Sequence, residues 1–464
     1  MKKNDIITLE ITALSNGGDG IGHHGGMAVF VPGTAAGDIC EIIVIKVLSN
    51  RAIGKLKTLL TPSPDRTENL CPAFPACGGC QFRHLSYRAE LDSKLTSVRD
   101  AVSRIGGITP PPDLRILGAD KTSEYRNKAL YPLVPTPSGA EYGFYRSGTH
   151  SVVPCLRGGA HVPCLLHPAE FETAVSVVVG WMNENGIPAY CEANGSGTVR
   201  AVYLRRAETS GELMVCLVSA KKHLSGTESL VPALLRAGIG FSTLVINHNP
   251  DRTNTVLGKN SAVLYGPGTV TDKLCGIKLC ISHQSFYQVN RTQCEKLYSA
   301  AIGFAQSAVS LKDAKLLDLY CGVGSIALAF SGLCLKVFGI EIVPSAIENA
   351  KKNAALNGIE NAFFECGDAA SAPAILSKHS FSPDIVTVDP PRKGLSSDVL
   401  NFLKRCTAKY LIYISCEPTT FARDAKLLSD TFSVTKMCAV DMFPRTANTE
   451  TVCLLSKKQN GSVY

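Results

Sequence analysis

Cys416 stands in the run Tyr-Ile-Ser-Cys-Glu-Pro, 27 positions after Asp389 of Val-Asp-Pro-Pro-Arg. Upstream of both lies Leu-Leu-Asp-Leu-Tyr-Cys-Gly-Val-Gly at 316–324. Glycines in such a strand-to-loop turn let backbone approach a nucleotide-like ligand at the end of a parallel strand. A thiol ending another strand of the same sheet faces that ligand across the cleft, which predicts covalent catalysis rather than binding alone. Cys416 occupies a strand-to-helix loop, where a helix N-terminus is expected to lower its thiol pKa. Glu450, closing Phe-Pro-Arg-Thr-Ala-Asn-Thr-Glu, is the candidate general base. A loop cysteine without context is a small buried residue; the neighbouring motifs set Cys416 apart. Cys321, inside the glycine loop, suits a spacer better than an attacking group.

The cofactor loop has partners. Glu341 ends the next strand, 17 residues after Gly324, where a carboxylate accepts from ribose hydroxyls. Asp368 of Gly-Asp follows the third strand, within reach of an adenine amino group. Asp389 follows the fourth, and its two prolines stiffen the loop and turn the carboxylate and carbonyls into the cleft. Neither a third pyrophosphate glycine nor Gly-Lys-Ser/Thr is present, which argues against dinucleotides and ATP phosphates. S-Adenosylmethionine fits this set. Carbon 5 of a uracil is a poor nucleophile toward its methyl group. A thiolate added at carbon 6 makes carbon 5 an enolate carbon, and a base must then take the carbon 5 proton. That chemistry needs one Cys and one base, here Cys416 and Glu450.

The elements that must position these groups fall into three stretches. Residues 1–59 read as a small β unit, with strands at 6–14, 27–31, 38–48 and 51–59 and breaks at 16–20 and 31–33. Lys46, Arg51, Lys55 and Lys57 give it a basic face, or an ordinary solvated edge. Thr61-Pro62-Ser63-Pro64 reads as a linker. Residues 60–281 hold a cysteine cluster, a helix over 83–105, and an antiparallel α+β insert with strands at 128–134, 141–145, 199–205, 213–219 and 241–247 and a helix at 169–184. From 282 to 464 helices and strands alternate, which predicts a doubly wound, largely parallel Rossmann-like α/β sheet. Pro344 opens one of its helices and Gly358 closes it.

The 464-residue chain carries a net charge of +8 and 18 cysteines. The charge favours a polyanionic partner. No apolar run suits a signal peptide or a membrane span, so a soluble, cytoplasmic protein without a membrane partner is expected. Cysteines in a reducing compartment turn attention to metal ligation or catalysis. Cys71-x5-Cys77-x2-Cys80 offers three soft ligands in one loop; Cys155 and Cys164, with His161 and His167 nearby, compete for the fourth place. Spacing alone leaves zinc and an iron–sulfur cluster open.

Taken together, Ser285-Phe-Tyr-Gln-Val-Asn290, Asp318-Leu-Tyr-Cys-Gly, Gly339-Ile-Glu341, Asp389-Pro-Pro-Arg, Ser415-Cys-Glu-Pro and Phe443-Pro-Arg-Thr resemble the RNA uracil-5-methyltransferases, a family of ribosomal RNA enzymes and the tRNA enzyme that makes ribothymidine. The resemblance spans nearly the whole chain. It implies that Gln288, Tyr320, Glu341, Asp368 and Asp389 contact S-adenosylmethionine, with Cys416 as nucleophile and Glu450 as base. One departure is that family members often carry His shortly before the basic Glu, where this chain has Asn448-Thr449. Gly18-Asp-Gly-Ile-Gly22 and Val29-Phe-Val-Pro-Gly33 resemble a TRAM domain, an OB-like RNA-binding barrel; its presence favours 23S ribosomal RNA over tRNA. Tyr125-Arg-Asn-Lys128 resembles a segment of the family's central domain, with phosphate or RNA as its implied contact. The resemblance also implies a [4Fe-4S] cluster on Cys71, Cys77, Cys80 and Cys164, structural or RNA-positioning in role. A monomer with no obligate protein partner is expected. Two other readings compete: a non-catalytic RNA-binding or assembly factor, and an amino-methyltransferase acting on adenine or cytosine, whose acid-Pro-Pro loop needs no cysteine.

Overall fold

The computed structural model describes residues 1–252 and 255–458; positions 459–464 of the expected catalytic unit lie outside the described residues. β1 (Ile6–Leu14), β2 (Gly20–His24), β3 (Met27–Val31), β4 (Ile39–Val47) and β5 (Arg51–Thr61) close into a barrel, ordered β1-β2-β3-β5-β4. Alternate residues point inward, so Leu9, Ile11, Val29, Val31, Cys40, Ile42 and Val44 form its core. β2 was not expected, because its two glycines read as a break. A Cβ at Gly20 would collide with Thr34, and one at Gly22 with the Glu10 carbonyl; the glycines admit close strand approach rather than ending the strand. Lys46, Arg51, Lys55 and Lys57 are all exposed.

The expected helix over 83–105 begins later, as α1 (Tyr87–Asp100), and ends in a π-turn at Ala101–Ile105. Ser86 caps it, accepting from the Ala89 N–H at 3.3 Å. β6 (Ile116–Leu117) follows. The central sheet takes strands from β7 (Lys128–Thr136), β8 (Gly139–Tyr142), β13 (Val199–Arg206), β14 (Leu213–Ser219), β15 (Phe241–His248) and β16 (Asn260–Tyr265), in the order β16-β15-β14-β13-β7-β8. Two-residue strands β9 (Phe144–Tyr145), β10 (Val152–Val153), β11 (Leu156–Arg157) and β12 (Ala160–His161) trail from β8. α2 (Ala169–Glu184) and α3 (Thr227–Arg236) share a core with the sheet. The sheet is not wholly antiparallel as expected: β14 and β15 run parallel, with α3 as their crossover.

The hairpin of β17 (Thr269–Leu274) and β18 (Ile277–Ser282) packs into the same core as the large C-terminal sheet. That sheet has the order β21-β20-β19-β22-β23-β25-β24-β6, built from β19 (Lys315–Leu319), β20 (Lys336–Glu341), β21 (Ala362–Cys366), β22 (Ile385–Val388), β23 (Tyr410–Ser415), β24 (Phe432–Val440) and β25 (Glu450–Lys457). The first five in that order are parallel, and β25 is antiparallel to both its neighbours. Helices cover both faces: α4 (Arg291–Ala308), α5 (Ser325–Ser331) and α6 (Pro344–Leu356) on one, and α7 (Ala372–Lys378), α8 (Ser397–Arg405) and α9 (Pro418–Leu428) on the other. Leu316, Ile385 and Ile412 face one core while Leu317, Val386 and Leu411 face the other, so these strands read as unbroken apolar runs. The strand order reverses at β19 and β22, which opens a crevice at their C-terminal ends. Among the described residues no helix is long and apolar enough to cross a membrane.

Candidate active site

The glycine loop after β19 lies at that crevice. Tyr320 adopts φ +63°, and Gly322 and Gly324 are also left-handed. Glu341, at the end of β20, spans the loop: Oε2 accepts from the Gly322 N–H at 3.2 Å and Oε1 from the Val343 N–H at 2.9 Å. A cavity of about 150 Å³ opens beside it, lined by Gly322, Val323, Glu341, Val343, Asn349 and the Gln284–Phe286 segment. Asp368 is exposed and caps the turn that follows β21 through Ala370. Burial first, then the nearby carboxylates of Asp368 and Asp424, push the Tyr320 hydroxyl up to about 12. Asp318 is sealed: it accepts from Thr387 Oγ1 at 2.6 Å and from the Ala327 N–H at 3.1 Å, tying β19 to α5. Cys321 is also buried, close against Gly339, as befits a spacer. Gln288 does not line the cavity; it is buried, and its carbonyl accepts from Asn127 Nδ2 at 2.9 Å.

The reactive groups converge from separate strand ends. In the β23–β25 ladder Tyr413 pairs with Cys453, Ile414 with Val452 and Ser415 with Thr451. The ladder ends there, and the next residue on each side is Cys416 and Glu450, whose carboxylate acts on the thiol. Cys416 is half-buried, in the loop before α9. Glu450 is buried, with Oε2 lacking any hydrogen-bond partner. Burial, and then Asp389, push its carboxyl up to about 8, against the opposing pull of Arg392. Burial alone lifts Asp389 to about 7. The Cys416 thiol is not lowered by the helix N-terminus as expected. Burial, followed by the Glu450 and Asp389 carboxylates, raises it to about 11, and Arg392 opposes them only weakly. The Glu417 side chain, not Cys416, accepts the first free N–H of α9, so the helix end is already satisfied. Arg392 is the cation whose field reaches both Cys416 and Glu450. The sequence displayed it in Asp-Pro-Pro-Arg without showing what it faces.

A second concave site gathers the cysteines. Cys71, Cys77, Cys80, Cys155 and Cys164 all line one cavity of about 270 Å³, with Arg83, Arg126 and Lys128 at its wall. The neighbouring Cys71 and Cys155 thiols titrate together, which holds Cys71 below the ordinary thiol range and pushes Cys155 above it. Cys164 lies in the field of Cys80, Cys71 and Cys77 together. His161 is engaged elsewhere, stacked on Tyr142 and bonded to Glu141 at 2.6 Å. Among the described residues no three His, Cys, Asp or Glu side chains close around a point that could hold one metal ion. The five thiols share that cavity with the Arg83 and Arg126 guanidinium groups. Tyr125, Arg126 and Asn127 line a further cavity of about 360 Å³ with Lys121 and Arg206, and each is also engaged within the fold. Tyr125 donates to the Pro444 carbonyl at 2.9 Å, Asn127 is bound to Gln288, and Arg126 faces the cysteine cavity.

A doubly wound sheet with an acidic strand end over a glycine loop, and the thiol–carboxylate pair beside it, define an S-adenosylmethionine-dependent methyltransferase. The family described as tRNA (Uracil-5-)-methyltransferase matches residues 269–458, and the TRAM domain matches 2–57. An RNA methyltransferase of Bacillus cereus (strain ATCC 10987 / NRS 248) is 36% identical over 458 residues, covering 98% of each chain. One from Clostridium tetani is 34% identical over 458 residues, covering 98% of this chain and 97% of its own. The crystal structure of Pyrococcus abyssi tRNA (uracil-54, C5)-methyltransferase in complex with S-adenosyl-L-homocysteine superposes with a TM-score of 0.75 at 24% identity, over 97% of this chain and all of that one. The chain belongs to the RNA uracil-5-methyltransferase family and is an S-adenosylmethionine-dependent enzyme with an N-terminal TRAM domain.

Proposed function

We propose that this enzyme methylates carbon 5 of a uridine in RNA through a covalent Cys416 adduct. The observation that supports the reading is that Cys416 and Glu450 lie just past the Ser415–Thr451 pair, with the Glu450 carboxylate acting on the Cys416 thiol and its buried Oε2 without a hydrogen-bond partner. Cys416 Sγ adds to carbon 6 of a flipped uridine, carbon 5 takes the methyl group, and Glu450 removes the carbon 5 proton. When bound, S-adenosylmethionine supplies an electrophilic methyl group and a positive charge, and a cation in this cleft favours the ionised forms of Cys416, Asp389 and Glu450. Glu341, Asp389, Tyr320 and Asp368 are the binding groups we assign to it, with Gln288 supporting the Ser285–Asn290 segment. Arg392 holds the negative charge of the site.

The substrate we favour is 23S ribosomal RNA, gripped in part by the exposed Lys46, Arg51, Lys55 and Lys57 of the barrel. A tRNA uridine is the second reading. The Pyrococcus abyssi tRNA enzyme is matched over 97% of this chain, which leaves too little uncovered to omit the barrel, so the barrel alone does not select ribosomal RNA. Cys71, Cys77, Cys80 and Cys164 are assigned to a [4Fe-4S] cluster in a structural role, since methyl transfer requires no electron. Residues 60–281 form the unit around it, between the barrel at 1–59 and the catalytic unit from 282. We place the enzyme in the cytoplasm as a monomer.

RNA containing 5-fluorouridine tests the mechanism. Fluorine replaces the proton that Glu450 must remove, so the adduct should persist, and mass spectrometry should find the nucleotide on Cys416. A nucleotide on another residue, or no adduct, overturns the mechanism. Mapping 5-methyluridine in 23S RNA and tRNA with and without the gene decides between the substrates.

A further inference from the structure

The segment that follows the third cysteine is fastened to the loop that delivers Glu450. The N–H groups of Gln81 and Phe82 both donate to the Arg445 carbonyl, at 3.0 and 3.1 Å. Gln81 Oε1 accepts from the Ala447 N–H at 3.3 Å, and Gln81 Nε2 donates to the Gly78 carbonyl at 3.1 Å. Arg445 returns the grip: its N–H donates to Glu90 Oε1 at 2.7 Å and its Nη1 to the Leu85 carbonyl at 3.0 Å. Arg445 stands at φ +70°, a conformation that a non-glycine residue keeps only where its surroundings over-determine it. At the head of the same loop Asp441 meets the buried Lys94, which also binds Glu90. Ala447 packs against Phe82, Leu85 and the barrel's Ala35.

Glu450 lies three residues beyond Ala447, and its Oε2 has no partner of its own. Glu450 opens β25 and pairs with Val440 of β24, so its place is set by the backbone, by that pair and by the 441–449 loop that joins the two strands, rather than by a bond to Oε2. We propose that Gln81 and Arg445 are positioning residues for the proton-removal step, acting through this loop. The inference rests on the covalent mechanism above. In that step the Glu450 carboxylate takes the carbon 5 proton, the freed pair forms the carbon 5–carbon 6 double bond, and the carbon 6–sulfur bond breaks to release Cys416 as thiolate. A displaced Glu450 slows this release and leaves thiol addition and methyl transfer intact.

The test uses the full-length protein, total RNA from cells lacking the gene, and S-adenosylmethionine labelled in its methyl group. Label is counted in free 5-methyluridine and in denaturant-resistant protein–RNA adduct. Glu450→Gln sets the adduct ceiling. Gln81→Ala and Arg445→Lys should raise the adduct share about tenfold over wild type, since a well-placed base contributes about 10²–10⁴-fold and a partial displacement forfeits part of that. Their rate of adduct formation should stay within about threefold of wild type. Adduct and product falling in parallel, or no change in either variant, overturns the positioning role. If Glu450→Gln accumulates no adduct and 5-fluorouridine RNA traps none on wild type, the covalent mechanism itself has failed.

Discussion

Glu450→Gln should stabilise the protein at alkaline pH while crippling the enzyme. Glu450 sits at about 8 in the folded chain against an ordinary 4.5, and burial is the main cause. A raised carboxyl makes the folded state hold a proton that the unfolded chain has already released. Stability therefore falls as pH climbs from about 4.5 to about 8, and is level outside that window. A gap of that size corresponds to on the order of 5 kcal/mol at full expression, and water entering the open cleft reduces it to a few. Glutamine keeps the shape and has no proton to lose, so the variant lacks this slope. Asp389, raised to about 7, contributes a fall of its own to both proteins. The assay is the difference in melting midpoint, variant minus wild type, across pH 5 to 9. It should be small at pH 5, grow to a few °C at pH 8, at about 1 °C per kcal/mol for the unfolding entropy of a 464-residue chain, and then level. A difference that is flat or shrinking across that range refutes the claim that Glu450 is a desolvated, unpaired acid.

The Cys416 thiol, at about 11 before any ligand binds, should be about one part in a thousand thiolate at pH 8. Iodoacetamide labelling of Cys416, followed by peptide mass spectrometry, should therefore be slow at pH 8 and rise about tenfold per pH unit. Cys77→Ser and Cys80→Ser should abolish the brown colour and bound iron of a purified sample, whereas Cys155→Ser should retain both; zinc in place of iron would count against the cluster. Lys94→Met strands Glu90 and Asp441 in a fully buried network and should cost about 3–5 kcal/mol in denaturant titrations. Lys55→Glu with Lys57→Glu should lower the slope of log affinity against log salt by about 0.7–0.9 for each RNA phosphate no longer neutralised, with the melting midpoint nearly unchanged.

The strands of the catalytic half were legible because strands buried on both faces are plain apolar runs, bounded by the acids and glycines that end them. β2 was hidden, since glycine and histidine look like a turn until the Thr34 and Glu10 contacts show why no side chain fits. The parallel β14–β15 pair was hidden as well, because a strand's direction in a sheet leaves no trace in its own residues. α1 was legible as a helix, but its start depended on where residues 81–85 spend their hydrogen bonds, which is on the distant 441–447 loop.

Local sequence was enough to mark a glycine loop, strand-end acids, a loop cysteine and a thiol cluster, since each motif lies within a few residues and carries its own chemistry. Which of these groups meet was decided only in three dimensions. The antiparallel insertion of β25 between β23 and β24 brings Glu450 near Cys416, 34 positions further along the chain. The ionisation of both groups likewise comes from burial and from neighbours on other strands. Desolvation depends on everything packed around a group, and no stretch of sequence contains its own surroundings.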